Sequence, residues 1–326
     1  MIQPPQAPVF PATAQPQQPD VIVVQKRTAL ERYAAEFASD SGRSYFLRDG
    51  QSDQTLQRAH DQHCETLDTL LTLLTNQNIS FGLYTLDDLA SEDHTPASFY
   101  QAGKVSGLMP RRQLVICVGG DGTLLRASHF VGGDVALVGL NSVPQHSVGH
   151  LCHLSPDTLS VGLAEILESK RKPKLVRRLI SRTSTGTSLP YALNDIYFGH
   201  QHPASASRYT IHVEGPQSRF EKQLSSGVWI STPAGSTAAI RSYGLGLLEP
   251  TAHHFLLAVR EPYNPPGHQL HLTRLNLDGD SEHITLFSRM RHGIVCVDGP
   301  VTACILGFGE SLEIGLGREG LLKLFL

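Results

Sequence analysis

The sequence predicts an α/β + β fold, an amino-terminal α/β domain built on a parallel sheet and a carboxyl-terminal all-β-rich domain, and three observations predict it. Its 326 residues are more than one core usually organises, at about 150 residues per domain. Up to about residue 170 short apolar runs alternate with helical patterns, the rhythm of βαβ units; beyond it, short β-rich runs separated by Gly, Pro and Asn or Asp dominate. Within the first half, a glycine-rich loop joins an apolar run to a helical stretch, as at the ligand-binding ends of α/β sheets.

Residues 1–20 are rich in Pro and Gln and lack a positive segment, an apolar segment and Arg, so they read as a disordered leader rather than a targeting signal. The α/β domain, 21–170, is expected to run as strand 21–24, helix 28–37, helix 54–76, strand 80–83, strand 114–118 with its helix, strand 135–140 and a linking helix 156–169. The β-rich domain, 171–326, begins after the basic run Lys170-Arg171-Lys172-Pro173-Lys174, which reads as an interdomain surface. Its expected strands are 175–181, 191–198, 209–213, 228–231, 255–259, 284–287, 294–297, 312–314 and 321–325.

A net charge of -3 with 27 Lys+Arg offers no basic field for nucleic acid. No apolar run reaches the roughly 18 residues that a membrane helix needs. Five widely spaced cysteines, Cys64, Cys117, Cys152, Cys296 and Cys304, with no C-x-x-C pair, read as reduced residues of a cytoplasmic protein.

The loop Gly119-Gly120-Asp121-Gly122-Thr123 follows Leu114-Val115-Ile116-Cys117-Val118. Asp121 there sits beside backbone N–H groups at a helix start, able to take a proton from an attacking hydroxyl while those groups hold phosphate. The bland alternative is an Asp capping its own helix. Asn194-Asp195 places an amide and a carboxylate in a run suited to a strand, where both are disfavoured; they form a turn, or they bind ribose hydroxyls and a base. Ser231-Thr232-Pro233-Ala234-Gly235-Ser236-Thr237-Ala238-Ala239 reads as a strand end, a turn and a helix start, either a donor cradle for phosphate or ribose or a cap made by Ser236 or Thr237.

Other signals are weaker. There is no G-x-x-x-x-G-K-[ST] loop, and Gly315-Leu316-Gly317-Arg318-Glu319-Gly320 is expected to be a hairpin turn rather than a dinucleotide loop. His60-Asp61-Gln62-His63-Cys64 is expected to be a solvated helix face, and no metal site is assigned. Asp298-Gly299-Pro300 is expected to be a hairpin turn.

In this order, the three motifs resemble the NAD kinase family, which carries a G-G-D-G-T loop, an Asn-Asp or Asn-Glu pair and a T-P-x-G-S-T-A segment; the likeness covers roughly residues 110–326. The resemblance implies a NAD kinase/diacylglycerol kinase-like fold with the site between the two domains. It implies transfer of a phosphoryl group from ATP or polyphosphate, with Mg2+ or another divalent metal, to the adenosine ribose 2′-hydroxyl of NAD+ or NADH. By motif match Asp121 is the base, Gly120, Gly122, Thr123 and Arg126 serve phosphates, Asn194 and Asp195 hold ribose and adenine, and Thr232, Ser236, Thr237, Ala238 and Ser242 line the other side. It also implies a homodimer or homotetramer.

Lipid kinases share the G-G-D-G-T loop, but no amphipathic basic helix is evident here. A dinucleotide sensor without turnover is the third reading. Ser226 stands where the common bacterial pattern has Asp, and Ala239 where it has Tyr. Ser147-Val148-Gly149-His150-Leu151-Cys152, with Ser225-Ser226-Gly227-Val228-Trp229 and Val259-Arg260-Glu261-Pro262, looks more like the plant NADH kinase and animal mitochondrial branch, whose members can favour NADH or use either form.

Overall fold

The computed structural model describes residues 19–36, 50–89, 112–267, 269–300 and 302–326, so the expected leader lies outside them up to residue 18. Four strands, β1 (Val21–Gln25), β2 (Phe81–Thr85), β3 (Leu114–Gly119) and β4 (Ala136–Asn141), pair in parallel in the order β2-β1-β3-β4. β3 is buried along its whole length, which is why its apolar run shows no alternation.

Helices flank both faces of this sheet: α1 (Ala29–Glu36), α2 (Gly50–Asn76), the short α3 (Leu86–Leu89), α4 (Asp121–Ser128) and α5 (Leu159–Leu167). α1 opens with a reciprocal capping box, the Thr28 N–H donating to Glu31 at 2.7 Å and the Glu31 N–H to the Thr28 hydroxyl at 3.3 Å. α2 presents Leu67, Leu70, Leu71 and Leu74, an i, i+3, i+4, i+7 stripe, to one face of the sheet together with Leu159, Leu163 and Ile166 of α5. α4 packs Leu124, Leu125 and Ala127 on the other face, against Ile22, Val24, Val115 and Cys117.

The β-rich half comprises β5 (Lys174–Thr183), β6 (Asp195–His200), β7 (Ser207–Glu214), β8 (Arg219–Ser225), β9 (Val228–Ser231), β10 (His254–Val259), β11 (Arg274–Asp278), β12 (His283–Ser288), β13 (Gly293–Val297), β14 (Thr302–Leu306) and β15 (Ser311–Phe325). A nine-stranded sheet runs β2-β1-β3-β4-β15-β12-β7-β8 with β5 on β15, and a six-stranded sheet runs β11-β10-β9-β6-β13-β14. Their facing sides bury one core that includes Phe198, Tyr209, Ile230, Phe255, Leu286 and Ile314. β15 ties the halves together: its start pairs antiparallel with β12, and its end pairs parallel with β4.

Four expectations need correction. The run 312–325 is one strand rather than two joined by a hairpin at Gly315…Gly320; it shifts register against β5 between Leu316 and Leu321. The glycines allow close passage here rather than a reversal, since a Cβ on Gly317 would lie 2.2 Å from the Ile180 Cδ1. The strand expected over 191–198 starts only at Asp195. The helix expected after Gly235 is a pair of short 3₁₀ turns, Ala234–Thr237 and Ala239–Tyr243. Finally, His60 and His63 are buried rather than solvated, because the fold brings the Thr28 hydroxyl to His60 Nδ1 at 2.9 Å and the Ser142 hydroxyl to His63 Nδ1 at 2.8 Å.

Candidate functional site

The site is assembled at the carboxyl ends of the parallel strands, where β3 turns directly into α4. Two glycines make that turn possible. A Cβ on Gly119 would lie 2.2 Å from the Thr123 hydroxyl oxygen, and one on Gly120 would lie 2.4 Å from that of Ser147. Gly122 is exposed with nothing within 4 Å of a Cβ, so the outer side of the loop is open to a ligand.

Asp121 is the first residue of α4, and it does not cap that helix; no side chain does. Its carboxylate accepts the N–H of His150 at 2.9 Å and that of Leu151 at 2.8 Å, which fastens the segment after β4 over the loop. Cys152 lies 3.7 Å from the same carboxylate, and burial followed by that negative charge pushes its thiol up to about 12, so it stays protonated. Thr123 is buried against the loop, while Arg126, on the same helix, is exposed.

The second motif is held by a residue that the sequence reading treated only as a turn. Asp298 follows β13 in the hairpin to β14, with φ of 50° there and 138° at Gly299, so the expected turn is present. Its carboxylate reaches back to accept the N–H groups of Leu193, Asn194 and Asp195 at 2.8, 2.7 and 3.0 Å. It also accepts Nε2–H of His129, the C-cap residue of α4, at 2.9 Å. This explains why the strand does not begin at 193–194, whose backbone donors go to a side chain rather than a neighbouring strand, while Ala192 makes only an isolated bridge to Leu179 of β5.

Asp195 itself is buried, and burial together with the nearby Asp298 raises its carboxyl from 3.8 to about 7. The folded chain therefore keeps a proton that the unfolded chain releases above pH 3.8, so this group's contribution to stability declines as pH rises to about 7 and is flat beyond. Asp195→Asn is expected to remove that slope; thermal midpoints taken near pH 5 and pH 8 should show the variant gaining on the wild type at the higher pH.

The third motif lies against the second. The Thr232 N–H and the Ser231 hydroxyl both donate to the Asn194 carbonyl, at 2.9 and 3.2 Å, and the Thr232 hydroxyl donates to the Leu193 carbonyl at 2.5 Å. Thr232 also caps the turn that follows by accepting the Gly235 N–H at 2.9 Å. A Cβ on Gly235 would lie 2.1 Å from the Asn194 carbonyl oxygen. Gly235→Ala is expected to cost about 1–3 kcal/mol by overpacking this contact, read as a lower urea midpoint.

Not every expected residue faces the cleft freely. Ser236 is fully buried, and its hydroxyl accepts the Leu248 N–H at 3.0 Å; Thr237 and Ser242 donate to the Ala234 and Ala239 carbonyls at 3.5 and 2.9 Å. At Ser226, where the resemblance marks a missing carboxylate, the serine hydroxyl donates to the carboxylate of Glu261, a residue held at φ 45° after β10. His129 carries no local sequence signal, and the segment Val259-Arg260-Glu261-Pro262 does not show the partner of Glu261, because each residue reaches its partner only through the tertiary fold.

The three motifs thus converge. Leu124 and Leu125 of α4, Leu193 and Ala234 share one buried cluster, and His129 and Asp298 link the end of α4 to the Asn194-Asp195 segment. The described residues hold no group of three or more His, Cys, Asp or Glu able to cage a metal.

No family model matches the chain. Among curated proteins, it is 36% identical over 220 residues to a protein named "Probable NADH kinase" from Oryza sativa subsp. japonica, a match covering 62% of this chain and 67% of that protein. It is 31% identical over 220 residues to "NADH kinase" of Arabidopsis thaliana, covering 62% of this chain and 69% of that one. Among solved structures, an NAD kinase from Archaeoglobus fulgidus in complex with ATP superposes with a TM-score of 0.60 at 18% identity, over 94% of this chain and 93% of that chain. Yeast NADH kinase complexed with NADH gives 0.60 at 16% identity, over 95% and 84%. With a shared fold across nearly its whole length and plant relatives above 30% identity, the chain belongs to the NAD(H) kinase family.

Proposed function

We infer that this chain phosphorylates NAD(H) to NADP(H), moving the γ-phosphoryl group of ATP to the 2′-hydroxyl of the adenosine ribose. The observation that carries this reading is the attachment of the Asn194-Asp195 and Thr232–Gly235 segments to the helix that begins with Asp121. A dinucleotide held by the first two presents a ribose hydroxyl to the third. In the proposed step the 2′-oxygen forms the new bond to the γ-phosphorus, the bond from that phosphorus to ADP breaks, and the hydroxyl proton passes to Asp121.

Asn194, Asp195, Thr232, Thr237 and Ala238 are proposed to hold the dinucleotide, and Gly120, Gly122, Thr123 and Arg126 the phosphates. The ionised form of Asp195 accepts two ribose hydroxyls, whereas the protonated form gives up one acceptor. A divalent metal, Mg2+ by preference, is proposed to arrive on the phosphates of ATP, which suits a cation that binds phosphate oxygens and few protein groups. Assembly as a homodimer or homotetramer and a cytoplasmic location belong to the same reading; five free cysteines support a reducing compartment.

Both plant relatives carry the name NADH kinase, which supports NADH as the preferred acceptor. The test is incubation of purified protein with Mg-ATP and either NAD+ or NADH, with product read by an NADP-specific dehydrogenase. NADP(H) formed faster from NADH supports the full reading. Product only from NAD+ would overturn the redox preference, and product from neither would overturn the kinase.

A further inference from the structure

One cation at the loop has no counter-ion among the described residues. Lys26 follows β1, and its N–H donates to the Val118 carbonyl at 3.3 Å, which places it level with the end of β3, one residue before Gly119. Its side chain then lies against the start of the loop: a Cβ on Gly119 would lie 3.3 Å from the Lys26 Cδ. No carboxylate among the described residues pairs with its ammonium, although the side chain is half-buried. Burial, and then repulsion from Arg32, hold its pKa below the ordinary lysine value.

A second unpaired group stands beside it. His63, on α2, is 2% exposed; its Nδ1 meets the Ser142 hydroxyl, and its buried Nε2 has no partner. Burial, followed by the positive charge of Lys26, lowers the ring to about 4, so it is neutral and can point an N–H from Nε2 once Nδ1 accepts from Ser142. An uncompensated ammonium in a half-buried place is costly unless an anion joins it.

Building on the kinase reading above, we propose that Lys26 is a phosphate-binding residue of this site and that its ammonium pairs with the phosphates of the donor ATP. The position selects the donor over the dinucleotide. Lys26 lies on the β1 side of the loop, near Cys152, which contacts Asp121. Asn194 and Asp195 are fastened instead to the far end of α4, through Asp298 and His129. The proton-accepting carboxylate thus separates the two binding regions, as transfer between two bound substrates requires.

Lys26→Met tests this, because it keeps a long apolar stem and removes only the charge. With NADH saturating, kcat/KM for ATP is expected to fall about 10- to 100-fold, as for loss of one charged hydrogen bond. KM for NADH should stay within about threefold, and the thermal midpoint should hold or rise because an unpaired ammonium is gone. Lys26→Arg should recover part of the ATP dependence. Unchanged ATP parameters, or a loss confined to NADH, would overturn the proposal. If the wild type shows no turnover the kinase reading fails separately, and calorimetric titration with ATP decides the role of Lys26: weaker binding by Lys26→Met supports it and equal binding overturns it.

Discussion

Asp121→Asn is expected to slow phosphoryl transfer by about 10²–10⁴, the contribution of a positioned general base, while the affinity for NADH changes little. The expectation rests on a half-buried carboxylate beside the exposed Gly122 that does no capping for its own helix. The substitution carries a structural cost as well. Asp121 accepts two backbone N–H groups, from His150 and Leu151, and an amide can accept only one of them without turning its own NH2 toward the other. About 1–3 kcal/mol of stability should be lost, so the variant should be assayed well below its midpoint. Parallel measurements of kcat and of NADH affinity check the outcome: equal losses in both would mean that Asp121 organises the loop rather than taking the proton.

Asp298→Ala should be the most damaging change to the fold. One carboxylate satisfies three backbone N–H groups and an imidazole in a region where Asp298 is 8% exposed. Removing it leaves those donors without partners and is expected to cost about 3–5 kcal/mol, or roughly 4–8 °C in midpoint for a chain of 326 residues. With that negative charge gone, the pKa of Asp195 should also move down toward its ordinary value, since Asp298 is one of the two causes that raise it. Chemical denaturation of Asp298→Ala and Asp298→Asn checks the first expectation, and proton titration of Asp195 checks the second. A midpoint within 2 °C or so of the wild type would remove Asp298 from its structural role.

Much of the fold was legible because burial leaves a direct trace in composition. β3 and β1 read as strands since both of their faces are covered, and α2 read as a helix since Leu67, Leu70, Leu71 and Leu74 fall on one stripe. The three strands absent from the reading, β8, β11 and β14, each lie at the edge of a sheet. In β8 and β11, polar residues such as Arg219, Glu221, Lys222 and Asn276 interrupt the apolar run, which is not the case in β14. β15 misled for a related reason: the glycine-rich stretch that looks like a turn is a register shift within a strand that must reach from β12 to β4.

The candidate site was legible where its residues are contiguous. Gly119 to Thr123, Asn194-Asp195 and Thr232 to Ala238 are local patterns with local reasons: close packing of Gly119 on Thr123 and of Gly235 on Asn194 forbids any side chain there. Asp298 was visible only as half of an Asp-Gly turn, because its other task depends on donors more than a hundred residues away. Lys26 and His129 have no local pattern at all, and Glu261 stands only in the segment Val259-Arg260-Glu261-Pro262, which does not show its partner. Their roles come from which strand ends and helix ends the topology brings together.

The most direct test of the central claim, that this cleft brings a dinucleotide ribose to Asp121, is a single-turnover reaction. Protein in excess over NADH is mixed with Mg-ATP, NADPH is followed in time, and NADH affinity is measured separately by calorimetry on the same preparation. The account predicts NADPH formation by the wild type, and the same NADH affinity with a rate lower by about 10²–10⁴ in Asp121→Asn. Tight NADH binding with no NADPH from the wild type would contradict it and leave a protein that senses the dinucleotide without phosphorylating it.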